Sequence, residues 1–246
     1  GVIGVPLPVE RVESAMPELI KSLSADYQGH SAALEAMMTT DTRKKETAIE
    51  FELDGKPVRI GAAAKGAGMI HPNMATMLSF ITTDAAIAPP LLDSALRLAV
   101  RRSFNRVTVD GDTSTNDMVL ILANGKAGNP PIEKDDANYL RFCAALGQVC
   151  INLARAIARD GEGATRLVTC TVSGARDEET AETLAKAVVS SSLVKAACFG
   201  ADANWGRILC AMGYSGADFE PETVSVRFRS GQGKSGLQER CINPLF

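Results

Sequence analysis

Apolar residues recur along the chain with two spacings, and these spacings predict where helices and strands lie. Between Asp135 and Asp160 apolar side chains return about every 3.6 residues, which gathers them into one stripe along a long helix. Gly161 follows this stretch, as a residue that ends a helix should. Further helices are predicted over residues 10–24, 31–38, 91–102 and 177–190.

Alternation of apolar and polar residues predicts the strands. Residues 49–53 alternate, Asp54-Gly55 is a hairpin turn signal, and residues 58–60 continue the return strand. Further strands are predicted over residues 77–82, 118–123, 166–173 and 223–229. Helices and strands alternate without a strict βαβ rhythm, so we expect a layered α/β (α+β) sandwich of mixed sheets and helices. We place a main domain at residues 1–170 and a second, smaller α/β domain at residues 171–246.

The composition indicates a globular protein that acts on small molecules. With 246 residues and 46% hydrophobic content, the chain can bury a sizeable core. A formal net charge of −3, mixed in sign along the chain, gives no long-range attraction to nucleic acid or to an anionic membrane. No apolar run approaches the roughly 18 residues of a membrane span. The six cysteines lack a C-x-x-C spacing and lie mostly in apolar segments, as buried free thiols do, which favours a reducing, cytoplasmic location.

The most specific candidate chemistry lies in a stretch rich in glycine and other small residues, from Lys65 to Ala75, which leads to Thr76 just ahead of an apolar run. If the peptide bond between Ala75 and Thr76 is cut, Thr76 gains a free α-amine beside its hydroxyl. An α-amino group has a pKa of about 7.7–8.0, close to where a general base works best. The hydroxyl can then act as nucleophile with its own amine as base, so this chemistry needs no histidine.

Other chemistries have weaker support. The two histidines, His30 and His71, show no triad pattern, and we interpret the first as a surface or capping residue and the second as structural. Residues 110–117, here called the polar loop, resemble a calcium loop, but Thr115 stands where that loop needs glycine. We therefore predict no metal site and expect the hydroxyl and amide groups of the polar loop to cap backbone ends.

The glycine-rich stretch resembles the self-cleavage segment of the ornithine acetyltransferase family, also called glutamate N-acetyltransferase, of arginine biosynthesis. Other segments are similar to family segments and follow in the family's order. They are residues 38–42, 103–117, 160–165 and 204–208. The likeness extends from residue 1 to about residue 215, so it implies the family's α/β fold as well as its activity.

The resemblance implies an acyltransferase that cuts itself between Ala75 and Thr76, giving chains of residues 1–75 and of residue 76 onward. The freed threonine then takes acetyl from N2-acetylornithine and passes it to glutamate in a ping-pong reaction. Acetyl-CoA is a further acetyl donor in a bifunctional form, and no cofactor is implied. An oligomer of the cleaved chains, a heterotetramer, is also implied.

The resemblance also implies roles for further residues. Thr39, next to Thr40, is implied to bind substrate, and so are Lys65 and Glu162 together with the nucleophile Thr76. A Thr-Gly pair forms the oxyanion hole in the family, and Gly1 of this chain corresponds to its glycine.

Two departures from the family pattern leave other interpretations open. The threonine of the oxyanion pair would precede Gly1, and residues 231–246 resemble no family segment, so we expect a piece of the family's protein shortened at both ends. One alternative is an N-terminal-nucleophile amidohydrolase or aminopeptidase, in which water takes the acyl group from the threonine. Another alternative is an inactive homologue that serves as a binding or structural protein.

Overall fold

The structure is a computed structural model that describes residues 4–71 and 77–230, together with the backbone of residues 238–241. The predicted site residues Gly1, Ala75 and Thr76 lie outside the described residues. The described residues end at His71, before the predicted cleavage site, and resume at Met77, after it.

Seven α-helices occur in the described residues. They are α1 (Val9–Lys21), α2 (Tyr27–Met37), α3 (Pro89–Arg101), α4 (Ala137–Arg159), α5 (Glu178–Ser190), α6 (Ser192–Phe199) and α7 (Trp205–Gly213). The first five overlap the helices that the sequence predicts. Asp26, Asp136 and Asp177 each accept backbone N–H groups from the first turn of the helix that follows, so these helices begin at their capping residues.

Four strands form one mixed sheet in the order β1-β2-β3-β4. They are β1 (Lys45–Leu53), β2 (Lys56–Lys65), β3 (Leu78–Thr83) and β4 (Met118–Ala123). β1 and β2 form the predicted hairpin around Asp54-Gly55, β3 pairs antiparallel with β2, and β4 pairs parallel with β3. A separate antiparallel pair consists of β5 (Ser225–Phe228) and β6 (Gln238–Cys241). The predicted mixed α/β class is confirmed.

The main core lies between the sheet, α3 and α4. Val58, Ile60 and Ile81 of the sheet are buried together with Phe142 and Leu146 of α4. Each such side chain contributes about 1.5–3 kcal/mol when it leaves water. α4 is, by length and composition alone, the one helix of the described residues apolar enough to cross a membrane, but its buried stripe is part of this core.

Gly161 follows α4 as predicted, but for a different physical reason. A Cβ at this position would lie 2.9 Å from Val109 Cγ1, so a side chain would clash. The close approach of two chain segments therefore requires glycine here, and this approach brings the end of α4 next to the segment that enters the polar loop.

The predicted strand over residues 166–173 is wrong, because these residues form no strand. Cys170 and Val172 instead pack against a second apolar cluster, built mainly from α5, α6 and α7. The alternation of apolar and polar residues over 166–173 therefore arises because one side of an irregular segment packs against helices. α6 and α7 were not predicted from the sequence, and their first turns are capped by the side chains of Ser191 and Asn204. The domain boundary after residue 170 stays a prediction.

The cysteines are less uniformly buried than expected. All five described cysteines have free thiols. Cys150 is buried and Cys210 is exposed, whereas Cys143, Cys170 and Cys198 are half-buried. Burial raises the pKa of the Cys150 thiol to about 12, so this residue is an inert core side chain.

Candidate active site

A buried ion cluster lies beside the residues that the family resemblance assigns to the substrate. Lys45 Nζ is 2.6 Å from Asp41 Oδ1 and 2.6 Å from Asp160 Oδ2. The side chains of the lysine, Asp41 and Asp160 are 1%, 0% and 6% exposed. Lys45 begins β1 and Asp160 directly follows α4, so this ion cluster ties the sheet to the end of the helix.

Backbone N–H groups complete the hydrogen bonding of both carboxylates. Asp41 accepts hydrogen bonds from the backbone N–H of Thr39 at 3.2 Å and of Gly66 at 2.7 Å. Asp160 accepts from the backbone N–H and the hydroxyl of Thr42. Burial raises the pKa of each carboxyl, but these hydrogen bonds and those from the lysine outweigh it, so the pKa of both Asp41 and Asp160 lies below its ordinary value. The cluster therefore stays charged and fixes residues 39–42, here called the threonine loop, against the end of β2.

Thr39, Lys65 and Glu162 come together around the glycine-rich stretch, although they are far apart in the sequence. Lys65 Nζ lies 3.4 Å from Thr39 Oγ1. The backbone N–H of Glu162 donates to the carbonyl oxygen of Ala67 at 2.8 Å. The Glu162 carboxylate lies against Gly68, where an added Cβ would be only 2.5 Å from Oε1. The structure thus places all three side chains along the segment that leads to Thr76.

The polar loop holds the chain on both sides of the predicted cleavage site. On the N-terminal side, Asp110 accepts hydrogen bonds from the backbone N–H groups of Met69 at 2.6 Å and Ile70 at 3.0 Å. On the C-terminal side, Asp117 Oδ1 accepts the backbone N–H of Met77 at 2.9 Å. The polar loop caps backbone groups as predicted, but the carboxylates of Asp110 and Asp117 accept these N–H groups, whereas the prediction named hydroxyl and amide groups. The capped groups belong to residues on both sides of 72–76.

Two further features show how tightly the stretch before the cleavage site is held. Met69 has a φ of 56°, a left-handed conformation that costs a residue with a side chain about 1–3 kcal/mol. His71 Nδ1 lies 3.0 Å from Thr108 Oγ1, and the carbonyl oxygen of His71 accepts the hydroxyl of Thr113 at 3.1 Å. Burial, followed by the charges of nearby lysines, lowers the pKa of His71. Its contacts are those of a structural residue.

Asp117 is a feature of the site that the sequence analysis did not single out. Burial raises its pKa to about 6, against the opposing effects of the Met77 N–H and the charge of Lys65. Its second oxygen, Oδ2, is buried and has no hydrogen-bond partner among the described residues. In the sequence, the only feature that could have drawn attention to Asp117 was its position as the last residue of the polar loop, directly before β4.

A groove of about 430 Å³ opens beside Glu162, between the segment that follows α4 and the helices α5 and α6. Its walls are mostly apolar, with Val109, Val194 and Phe199 among them. Lys195 also lines it, and its Nζ donates to the carbonyl oxygen of Val109 at 2.8 Å. The groove therefore offers the Glu162 carboxylate, the Lys195 ammonium group and the guanidinium group of Arg166 within a mostly apolar wall.

The chain is similar to proteins of arginine biosynthesis. It is 58% identical over 226 residues to the arginine biosynthesis bifunctional protein ArgJ of Symbiobacterium thermophilum. This match covers 92% of this chain and 56% of that protein. It is 51% identical over 242 residues to the arginine biosynthesis bifunctional protein ArgJ 1 of Clostridium acetobutylicum, covering 98% of this chain and 58% of that protein. The chain thus spans little more than half the length of these relatives.

A solved structure and a family match agree with these relatives. The crystal structure of the arginine biosynthesis bifunctional protein ArgJ from Bacillus halodurans matches with a TM-score of 0.60 at 51% identity, covering 61% of this chain and 70% of that chain. The ArgJ family model matches residues 1–239. The chain belongs to the ArgJ family, which confirms the resemblance stated from the sequence. The expectation that residues 231–246 are unrelated to the family is wrong for residues 231–239, because the match includes them.

Proposed function

We propose that the protein is an acetyltransferase that cuts itself between Ala75 and Thr76 and then carries acetyl from N2-acetylornithine to glutamate on Thr76. One observation supports this most strongly. Thr39, Lys65 and Glu162, which the family resemblance assigns to the substrate, lie together along the stretch that leads to Thr76. The reaction belongs to arginine biosynthesis in the cytoplasm, and the enzyme is an oligomer of cleaved chains that also accepts acetyl-CoA as a donor.

Self-cleavage begins when the Thr76 hydroxyl oxygen attacks the carbonyl carbon of Ala75. The carbon–nitrogen bond of the peptide then breaks, and the acyl group moves to the threonine oxygen as an ester. Water hydrolyses this ester, which leaves Ala75 with a carboxylate and Thr76 with a free amine. The ion cluster and the polar loop support this step, because they hold the chain on both sides of the bond and can maintain a strained local conformation.

Acetyl transfer then uses the same hydroxyl. It attacks the acetyl carbonyl of N2-acetylornithine while the α-amine of Thr76 accepts its proton, and ornithine leaves. The amine of glutamate attacks the resulting acetyl-threonine ester and takes the acetyl group. Backbone N–H donors near Gly1 hold the oxyanion in both halves, and each donor of this kind contributes about 2.7–4 kcal/mol.

The charges beside the glycine-rich stretch suit two substrates that are both α-amino acids. The Lys65 ammonium pairs with the carboxylate that both substrates carry, and the Glu162 carboxylate pairs with the side-chain ammonium of ornithine. The groove beside Glu162 has the volume of a small-molecule site, which is about 300–1,000 Å³. Its apolar wall suits the aliphatic part of ornithine.

Steady-state kinetics test the proposed order of events. Because ornithine leaves before glutamate enters, double-reciprocal plots at several fixed glutamate concentrations are expected to be parallel. Lines that intersect would show a complex of both substrates with the enzyme and would contradict the acetyl-Thr76 intermediate. Release of acetate without acetylglutamate would instead support the amidohydrolase alternative.

Gly68→Ala is expected to weaken substrate binding without unfolding the protein. The added Cβ would overlap the Glu162 carboxylate, which must move because the glutamate side chain is the flexible partner. A hydrogen bond to a charged group contributes about 1.5–3 kcal/mol, so the KM for N2-acetylornithine is expected to rise about tenfold or more. Gly147→Ala in α4 is the control, since its Cβ would meet nothing within 4 Å. An unchanged KM in Gly68→Ala would remove Glu162 from the substrate site.

A further inference from the structure

The two amino-acid substrates of the proposed reaction differ in the charge at the end of the side chain. Both carry an α-carboxylate and both react at the α-nitrogen, so in one pocket their side chains point in the same direction. Ornithine ends in an ammonium group, whereas glutamate ends in a carboxylate. The Glu162 carboxylate attracts the first of these groups and repels the second. A pocket that accepts both substrates therefore needs a cation close to Glu162.

Two cations line the groove beside Glu162. They are the guanidinium group of Arg166 and the ammonium group of Lys195. Arg166 Nη1 donates to the carbonyl oxygen of Cys198, and Lys195 Nζ donates to the carbonyl oxygen of Val109 at 2.8 Å. Lys195 and Cys198 are three residues apart in α6, so they lie on the same face of that helix. Both charged groups are therefore held near α6, which forms one wall of the groove.

Each cation keeps hydrogen-bond donors for a ligand. An ammonium group has three N–H bonds and a guanidinium group has five, and each contact with a carbonyl oxygen uses one of them. No carboxylate of the described residues forms an ion pair with Arg166 or Lys195. Burial lowers the pKa of Lys195 against the opposing charge of Asp110, so an anion that enters the groove stabilises the charged form of this lysine. The groove is therefore suited to an anionic group of a small molecule.

We propose that Arg166 and Lys195 bind the side-chain carboxylate of glutamate, the acetyl acceptor, while Glu162 binds the side-chain ammonium of N2-acetylornithine, the donor. These roles rest on the proposed function, because they assume that both amino acids use one pocket. The two side chains then enter the same groove but contact groups of opposite charge. The apolar groove residues, such as Val194 and Phe199, suit the methylene groups that both side chains contain. Arg166 and Lys195 thus determine which amino acid receives the acetyl group.

The choice between glutamate and glutamine as acceptor tests these roles, because glutamine has the shape of glutamate but no charge at the end of its side chain. In a ping-pong reaction, kcat/KM for each substrate depends only on its own half of the reaction. In Lys195→Met, kcat/KM for glutamate is expected to fall about tenfold or more, the effect of losing a hydrogen bond between charged groups. The value for glutamine is expected to change little, so the preference for glutamate falls with it.

Further measurements separate a lost ligand contact from a damaged fold. In Lys195→Met, kcat/KM for N2-acetylornithine is expected to stay equal or to rise, because its side chain is positive, whereas a damaged fold lowers the values for both substrates. Lys195→Arg keeps the charge and is expected to restore most of the preference for glutamate. Arg166→Met, at an exposed residue, provides the same test if Lys195→Met fails to fold. Lys126→Met removes an exposed lysine that does not line the groove and is expected to change neither value.

The results distinguish these roles from the proposed function. If the wild type transfers acetyl and both Lys195→Met and Arg166→Met keep its preference for glutamate over glutamine, the two cations do not bind the acceptor, while the proposed function stands. A fall in kcat/KM for acetyl-CoA alone would also overturn the roles, since the cations would then bind the phosphates of that donor. If the wild type transfers no acetyl, the proposed function is wrong, and calorimetry with glutamate and glutamine decides. Binding of glutamate that is lost in Lys195→Met would support the roles, and equal binding of the two ligands or none would overturn them.

Discussion

Replacing Thr76 with alanine is expected to abolish both self-cleavage and acetyl transfer. The hydroxyl of Thr76 is the attacking atom in both reactions, so no other group of the proposed site can take its place. Removing the nucleophile of a serine protease lowers kcat by about 10⁶-fold, and a loss of at least about 10⁴-fold is expected here. Denaturing gels and an assay for acetylglutamate measure the two reactions separately.

Thr76→Ser is the matched control for this variant. Serine keeps a hydroxyl on the same carbon and, after cleavage, a free amine beside it, so both reactions are expected to persist at a reduced rate. Acetyl transfer by Thr76→Ala at a rate near that of the wild type would show that another residue forms the acyl intermediate. The proposed mechanism would then be wrong, although the family assignment would not change.

Lys45→Met is expected to cause a large loss of stability. The variant keeps the bulk of the side chain but leaves Asp41 and Asp160 buried without their cation. Removing one partner from a buried ion pair typically costs about 3–5 kcal/mol. For a domain of this size, such a loss lowers the thermal midpoint by roughly 6–20 °C, measurable by calorimetry or circular dichroism.

The neighbouring lysine provides a control for this prediction. Lys44 Nζ lies 2.5 Å from Glu35 Oε1, but the Lys44 and Glu35 side chains are 29% and 66% exposed. Ion pairs near the surface contribute about 0–1 kcal/mol, so Lys44→Met is expected to shift the thermal midpoint only slightly. Equal shifts for the two variants would show that the charge of Lys45 is not what holds the threonine loop, β1 and α4 together.

The parts of the fold that could be predicted are those specified by neighbouring residues. The Asp54-Gly55 turn lies between two alternating segments, and it forms the hairpin as predicted. The apolar residues of α4 recur about every 3.6 residues along a helix of 23 residues, and this spacing places them on one face only if the segment is helical. Residues 166–173 show alternation too, but a strand also needs a partner, and whether an adjacent strand exists depends on the whole fold.

The missed helix α6 illustrates a second limit. Ser192–Phe199 is only 8 residues long, and Ser191 alone separates it from the end of α5. A segment this short shows too few turns for its period to be recognised. The capping side chain of Ser191 was the available signal, and it was hidden by the serines around it.

The candidate site could be predicted where a stretch of consecutive residues carries the signal, but not where the fold brings distant residues together. The segments that carry Thr39, Lys65 and Glu162 could be recognised by their resemblance to a family. The ion cluster could not, because Lys45 and Asp160 are joined only by the three-dimensional fold, and a charged residue is most often at the surface. Asp117 was visible as a polar residue of a loop, but its burial beside Met77 was not.

The identity of the N-terminal residues in freshly purified protein tests the central claim most directly. Intact-mass measurement together with N-terminal sequencing shows whether a chain begins at Thr76. The account predicts two chains, one of residues 1–75 and one of residues 76–246, in equal amounts. A single uncut chain that still transfers acetyl from N2-acetylornithine to glutamate would contradict it.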